Sequence, residues 1–393
     1  MAEKTNKQKN SVNKDNKARN AFSFIFLVCV VFIIALLTVI SVLKSGQYDF
    51  SRIQSVIALV TKENQDQPGD KVTNLSTVVS GGSSYAYVPC GRYLYVSSGQ
   101  DITVYDATGQ AVHKEIIEIT EPVTAYNAEI ALIGDRNDKI VYIYKGLKRI
   151  ASLELKGTIR HMTVNDDGYI SILCDDTDAY SKVSFYSPSG KKICEISKWG
   201  SIAVNATVLS SNKEYVINSV KISGTGFESN LEFSDFLADT ADAGHIAPDT
   251  LFSVLFSLNG SAVLAGNEEG IYSFDRNASL AWKAEPGKMI GVSSIKNGLV
   301  YAYYNNEGTC TVAFSDYQGN ILHEYTYGTN IGNIRTYDDI AAINYGREVI
   351  FFNTDGTILK RYSSKSDILD IYPLGRTHAV SITEIDMTYI KLY

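Results

Sequence analysis

The sequence predicts an all-β fold: an eight-bladed β-propeller behind a single N-terminal transmembrane helix. Three observations predict it. From about residue 70 onward, short runs of Val, Ile, Tyr and Thr alternate with Asn, Asp and Gly turns at period two. Within that region a short phrase recurs at a mean spacing of about 41 residues, as blades of about 40–45 residues would. Ahead of it lies Ala21–Leu43, 23 consecutive residues without a charge.

Composition narrows the classes. Of 393 residues, 45% are hydrophobic and only 20% charged, which excludes a disordered chain. Five Cys are too few for a disulfide scaffold. A net charge of −7 excludes a general nucleic-acid partner, which would need basic surface. The charge is unevenly spread. Residues 1–20 carry six Lys or Arg against two acidic residues, or +4, so the remainder carries −11.

Taken in order, residues 1–20 are a basic, disordered cytoplasmic tail. Residues 21–43 reach about 35 Å as a helix, enough to cross a hydrocarbon core of about 30 Å. No Ala-x-Ala cleavage pattern follows, so the segment reads as an uncleaved signal anchor. The basic tail keeps the N-terminus in the cytoplasm, making a single-pass cell-membrane protein with everything after Lys44 extracytoplasmic. Residues 44–69 are juxtamembrane. Phe50, Ile53, Val56, Ile57 and Val60 sit at helical spacing, and Pro68-Gly69 punctuates a linker.

Residues 70–393 form the propeller. The phrase is a β-rich run, a turn with Asp, Asn or Gly, and a following strand. Its copies end at Gly109, Gly146, Gly190, Asn277, Gly319 and Gly356, for example Val104-Tyr105-Asp106-Ala107-Thr108-Gly109 and Phe314-Ser315-Asp316-Tyr317-Gln318-Gly319. Each marks the hairpin from a blade's third to its fourth strand, where a tight turn needs positive φ. A degenerate copy, Glu232-Phe233-Ser234-Asp235, lies in the acidic, turn-rich stretch Ser229–Asp249, which is expected to carry an irregular insertion. With this copy the blades number eight; without a true copy between Ser201 and Ile246 they number seven. The last blade has strands at Ile368–Tyr372, His378–Thr383 and Met387–Tyr393, and lacks a fourth. Lys71–Val79 is a strand without a partner at the other end, so 71–79 is expected to pair with 387–393 and close the ring.

Chemistry is sparse. The five His (113, 161, 245, 323 and 378) have no zinc spacing, and no Cys-x-x-Cys, P-loop or Gly-x-Ser-x-Gly occurs. Asn165-Asp166-Asp167-Gly168 and Asp175-Asp176-Thr177-Asp178 are incomplete as calcium loops. No metal or cofactor is therefore expected. Cys90, Cys174, Cys194 and Cys310 read as buried free thiols, since Cys174 and Cys194 fall two strands apart. Propellers bind at the channel mouth, where inner strands converge. The predicted inner strands carry Tyr126, Asn127, Arg160, His161, Asn205, Asn333 and Arg335. Two readings stand for them: ligands for an anionic group at Arg160, His161 and Arg335, or simple solvation of a water-filled channel.

The basic tail, single anchor and exported propeller resemble a family of unknown function from Gram-positive, clostridia-type bacteria. The blades also resemble WD40-like and quinoprotein-like repeats; Asn277-Ala278-Ser279-Leu280-Ala281-Trp282 is similar to the outer strand of a quinoprotein blade. Quinoprotein dehydrogenases repeat a Trp motif in most blades, whereas this chain has only Trp199 and Trp282. The resemblance therefore implies the non-catalytic outer-membrane assembly scaffolds of that fold. The expected function is a non-enzymatic binding or scaffold module with a protein or cell-envelope partner. The alternative is an envelope glycan hydrolase or lyase using channel-mouth carboxylates.

Overall fold

The computed structural model describes residues 85–393, apart from 225, 239–240, 260–261, 306–307 and 328–330. The expected tail (1–20), anchor (21–43), juxtamembrane segment (44–69) and closing strand (71–79) lie outside the described residues. Among the described residues no helix is long and apolar enough to cross a membrane.

Those residues form eight antiparallel sheets, which decides the blade count against seven. Blade 1 comprises β1 (Ala86–Cys90), β2 (Tyr93–Ser97), β3 (Ile102–Asp106) and β4 (Ala111–Glu115). Blade 2 comprises β5 (Pro122–Tyr126), β6 (Ile130–Asp135), β7 (Ile140–Lys145) and β8 (Lys148–Glu154). Blade 3 comprises β9 (Ile159–Val164), β10 (Ile170–Cys174), β11 (Ser181–Tyr186) and β12 (Lys192–Lys198). Blade 4 comprises β13 (Ile202–Val208), β14 (Glu214–Ser223), β15 (Gly226–Asp235) and β16 (Ala243–Pro248). Blade 5 comprises β17 (Val254–Ser257), β18 (Val263–Gly266), β19 (Ile271–Phe274) and β20 (Leu280–Ala284). Blade 6 comprises β21 (Lys288–Ile295), β22 (Gly298–Tyr304), β23 (Cys310–Asp316) and β24 (Ile321–Tyr327). Blade 7 comprises β25 (Asn333–Tyr337), β26 (Ile340–Asn344), β27 (Glu348–Asn353) and β28 (Ile358–Ser363). Blade 8 has β29 (Ile368–Leu374), β30 (His378–Thr383) and β31 (Met387–Lys391).

Each strand pairs with its chain neighbours, so the first strand of every blade is inner and the last outer. Inner strands lie side by side, and β29 returns to contact β1, so the blades make a ring. Alternating strand direction sorts the loops. The connectors between blades and the second-to-third-strand hairpins share one face, here called upper. The first-to-second and third-to-fourth turns share the lower face.

The repeated phrase is the lower-face turn into each outer strand. Its carboxylate or hydroxyl caps the turn: Asp106 Oδ1 accepts from the Thr108 and Gln110 amides at 2.9 and 3.0 Å. Asp316 does the same for Gln318 and Asn320. The fourth turn residue is left-handed, with φ 83° at both Gly109 and Gly319. Each of these turns slips the ladder by one residue, the bulge that such a left-handed residue creates. A Cβ on Gly319 would also come within 2.9 Å of the Trp282 ring on the preceding blade's outer strand. Gly356 meets His323 in the same way, and Gly190 meets Ala151. The glycine thus answers two demands, a left-handed turn and a close blade-to-blade approach.

A blade buries both faces against its neighbours, so middle strands are largely buried, their few polar residues such as Asp135 and Asn344 included. All of Ile130–Asp135 is buried, as is all of Ile340–Asn344. Outer strands β4 and β24 are mostly exposed. The core therefore lies between blades. Leu264 and Ile271 of blade 5 pack with Leu299 and Tyr301 of blade 6. Leu94 and Val96 of blade 1 pack with Tyr372, Val380 and Tyr389 of blade 8.

Two expectations are corrected. The stretch from Ser229 to Asp249 is no irregular insertion, because it forms most of β15 and all of β16. The extra length lies in the upper hairpin β14–β15, whose strands have ten residues each, against four to seven for second and third strands elsewhere. The four described cysteines are free, but only Cys90, Cys174 and Cys310 are buried; Cys194, on an outer strand, is half-buried.

Candidate functional site

On the channel side, inner strands of blades 7, 8 and 2 bring together Arg335, Asp370, Tyr372 and Tyr126. Arg335 donates from Nε to Asp370 Oδ1 at 3.1 Å and from Nη2 to Oδ2 at 2.8 Å. Tyr372 donates to the same carboxylate at 2.6 Å, and the guanidinium lies 5.4 Å from the Tyr372 ring centroid. The Tyr126 and Tyr372 rings meet edge to face at 6.4 Å, reaching past the intervening blade 1. Burial alone would lower the Arg335 pKa, but the bonded Asp370 carboxylate outweighs it and raises it. Burial, reinforced by Asp370, pushes the Tyr372 phenol well up. The Arg335 charge is thus already neutralised.

Arg160 and His161 stand apart on β9. The β9–β10 ladder skips Arg160 between the pairs Leu173–His161 and Cys174–Ile159. This bulge breaks the alternation and leaves two successive residues exposed. Arg160 is engaged by Asp175, with Nε to Oδ1 at 2.7 Å. His161 is reached by solvent, yet surrounding protein lowers its pKa. That combination suits a side chain lining a channel.

The three asparagines act within and between blades. Asn127 falls just beyond β5, in the lower turn. Its Oδ1 accepts from the Glu129 and Ile130 amides, and its Nδ2 donates to the Asn165 carbonyl of blade 3 at 2.7 Å. Asn165 in turn donates to Asn212 of blade 4 at 2.8 Å. Asn333 donates to the Leu369 carbonyl of blade 8 at 3.1 Å. Asn205 is buried opposite Asn218. Asn218 donates to the Phe252 carbonyl at 2.8 Å, in the connector before blade 5. Of the seven predicted residues the fold therefore gathers Tyr126 and Arg335, and disperses the others.

The lower mouth carries two Asp-Asp turns. Asp166 is reached by solvent, yet the surrounding protein, then the adjacent Asp167, raises its carboxyl. Burial also raises Asp339, against the pull of Arg376, whose Nη1 lies 3.1 Å from its Oδ2. No group of three or more His, Cys, Asp or Glu able to hold a metal occurs among the described residues.

The upper face holds the feature that sequence reasoning missed. Hairpin β14–β15 places Ile222 opposite Phe227 and Lys221 opposite Glu228. Ile222 is 82% exposed and Trp199, in the adjoining connector, 68%. On the blade 3 side lies an open cleft of ≈ 320 Å³, lined by Trp199, Lys221, Glu228, Asn230 and Ile246 among others. Beneath it Lys198 pairs with Glu232, which also accepts from Asn230 at 2.9 Å. The available signal was the long step from the Gly190 copy to the degenerate Glu232–Asp235 copy, which contains the runs Val216–Ile222 and Phe227–Phe233.

A family model matches residues 65–392 of this chain. The chain belongs to the family of unknown function DUF5711. DUF5711 thus spans the whole described ring and begins ahead of it. No curated protein matches the chain. Among solved structures, Sqt1 of Chaetomium thermophilum, bound to the N-terminus of ribosomal protein L10, has a TM-score of 0.55 at 10% identity. That likeness covers 82% of this chain and 100% of the other. BamB of Moraxella catarrhalis has a TM-score of 0.50 at 11% identity, over 78% of this chain and 96% of that one. At such identities these likenesses concern the propeller fold alone.

Proposed function

We propose that this DUF5711 member is a non-catalytic binding or scaffold module at the cell envelope. Ala21–Leu43 tethers it to the membrane, and the propeller outside engages a protein or envelope partner. The observation carrying this reading is the upper-face hairpin with its exposed Ile222, Phe227 and neighbouring Trp199. Exposed aromatic and aliphatic anchors beside a polar cleft have the make-up of an interface centre. Three arginines elsewhere are already ion-paired: Arg335 with Asp370, Arg160 with Asp175 and Arg376 with Asp338. Burial raises three of the thiols, Cys90 and Cys174 up to about 12 and Cys194 up to about 11. Sqt1 bound to the N-terminus of L10 supports a protein segment as the kind of partner this fold accepts.

The test places a photo-crosslinking residue at Ile222 or Trp199 of the full chain in its native cells. A discrete adduct at both positions, absent at Leu322 on an outer strand, is the expected result. No adduct at either would overturn the reading. The glycan hydrolase reading rests on Asp166 and Asp339, because a raised carboxyl suits a general acid. Turnover of cell-wall glycan by the wild type that vanishes in Asp166→Asn or Asp339→Asn would replace our proposal with it.

A further inference from the structure

We infer that the blade 5 side of hairpin β14–β15 docks a cationic peptide segment carrying an apolar anchor residue. This names the kind of partner and rests on the docking reading above. The first observation is the direction in which the hairpin presents its apolar pair. Val216 and Phe233, opposite each other, pack with Phe252, Leu255 and Val263 on the blade 5 side. Further up the same face, Asn218 donates to the Phe252 carbonyl at 2.8 Å. Ser229, opposite Val220, donates to the Thr250 carbonyl at 2.7 Å. The ladder has no register shift, so the alternation carries on to Ile222 and its partner Phe227, which share that face. They are 82% and 40% exposed, and Leu251 in the adjoining connector is 47% exposed. Lys221 and Glu228 take the opposite face, above the Trp199 cleft.

The second observation is charge. Five upper-face loops around this pair, 175–180, 199–201, 249–253, 267–270 and 285–287, hold seven acidic residues and no Lys or Arg. The lower-face loops of the same three blades do contain cations, Lys191, Lys213 and Arg276. Strand cations meet three of the seven: Arg160 meets Asp175, Lys182 meets Asp176 and Lys283 meets Glu285. Asp249, Glu268 and Glu269 lie in the loops on the Phe227 side, and all three are exposed.

Connector 249–253 joins the two features. Its Asp249 amide donates to the Phe227 carbonyl at 2.8 Å, and its Ser253 amide to the Gly266 carbonyl at 2.9 Å, two residues before Glu268. Five residues reach at most about 18 Å. One short extended segment can therefore touch Phe227 and still reach Glu268 and Glu269. With Glu285, Gly287 and Lys288, those two line an open cleft of ≈ 390 Å³. The sign of the charge selects the occupant. It repels anionic lipid headgroups and nucleic acid, and a second copy would bring the same negative face. A segment with Lys or Arg beside an apolar residue suits both features. Its anchor rests on Ile222, Phe227 and Leu251, and its cations lie over Asp249, Glu268 and Glu269.

The test uses the full chain in detergent-permeabilised membranes, with a photoreactive residue in place of Phe227. The probes are three short biotin-tagged peptides: Leu and Phe flanked by Lys, the same anchors flanked by Glu, and Ser replacing the anchors between Lys. Biotin transfer from the first peptide alone, weakening as salt rises, is the expected result. A photoreactive residue at Leu322, on an outer strand, should give none. Glu268→Gln with Glu269→Gln should raise the peptide concentration for half-maximal transfer about fivefold, as the loss of two screened ion pairs would. Ile222→Ser should raise it about thirtyfold, as the loss of an interface anchor would. Transfer from none of the peptides, equal transfer from either of the other two, or no change in the Gln variant would overturn the cationic partner. Adducts to lipid or to a second copy in place of the peptide would overturn it too. An Ile222 adduct in native cells beside any of these failures leaves the docking reading standing, whereas no adduct there at Ile222 or Trp199 removes that reading itself.

Discussion

At the residue scale, the clearest constraint is the left-handed glycine of the repeated turn. Gly319 has φ 83°, and a Cβ there would stand 2.9 Å from Trp282. Gly146 has φ 61° with nothing within 4 Å of its Cβ position. Both lose about 1–2 kcal/mol on substitution by alanine through the left-handed backbone alone. Gly319→Ala adds an overpacking cost of about 1–3 kcal/mol. Denaturant unfolding should therefore place Gly319→Ala well below Gly146→Ala, and equal losses would show that Trp282 moves aside freely. The Arg335–Asp370 pair gives a second prediction. Asp370→Ala strands a partly buried guanidinium and should cost about 2–4 kcal/mol, whereas Arg335→Met with Asp370→Leu should recover most of it. A double variant no more stable than Asp370→Ala would mean that the pair shapes the channel in a way apolar packing does not replace.

At the element scale, two devices assemble the ring. Asparagines at lower turns grip the next blade, as Asn127 does Asn165 and Asn165 does Asn212. Outer strands rest on the next blade's turn, as Trp282 does when its indole donates to the Tyr317 carbonyl at 2.9 Å. Asn165→Ala removes bonds from a buried site and should destabilise by about 1–3 kcal/mol, read as a lower urea midpoint with unchanged slope. A reduced slope would instead mean that blades 3 and 4 part from the rest. These elements also explain what was legible. The blade period stood out because the third-to-fourth-strand turns at Asp106, Asp275 and Asp316 use the same chemistry at the same offset, with Asp235 keeping part of it, its Oδ1 accepting from the Leu237 amide. The bulges on β9, β13, β21 and β29 had no such signature, because pairing partners decide a bulge. The Arg160–His161 exposure was hidden for that reason. Asp370 was missed because its role depends on Arg335, 35 residues away on another blade. The upper hairpin differs from the others only in length, so its exposed apolar tip resembled ordinary strand sequence.

At the scale of the whole molecule, stability depends on the blades acting together, and pH tests this over two ranges. Burial lowers the pKa of His161, His245 and His378; for His378, Lys391 adds to it and Asp106 opposes it. Each imidazole is thus neutral in the folded ring at pH values where it is protonated in the unfolded chain. The unfolded state binds more protons there, so stability falls as pH falls from above the ordinary value of about 6.5 through the folded pKa. The turn carboxylates act lower. The Asn320 side chain holds Asp316 below its ordinary value, and the Thr357 hydroxyl does so for Asp355. Asp106 is also lowered, because bonds from Thr108 and Gln110 outweigh its burial. Their contribution is complete above about pH 4 and is lost as pH falls through the folded values. Asp166 has the opposite sign: its raised carboxyl is a burden at neutral pH that protonation relieves. Asp166→Asn should therefore raise the melting midpoint at pH 7, by an amount that shrinks towards zero on acidification to pH 3. In the wild type the midpoint should decline first near pH 6 and again below pH 4, as one transition by both fluorescence and far-ultraviolet dichroism. Two separated transitions in the first range would show that blade 3, which holds His161, melts apart from blades 4 and 8, which hold His245 and His378, and that the ring is less cooperative than its inter-blade core implies.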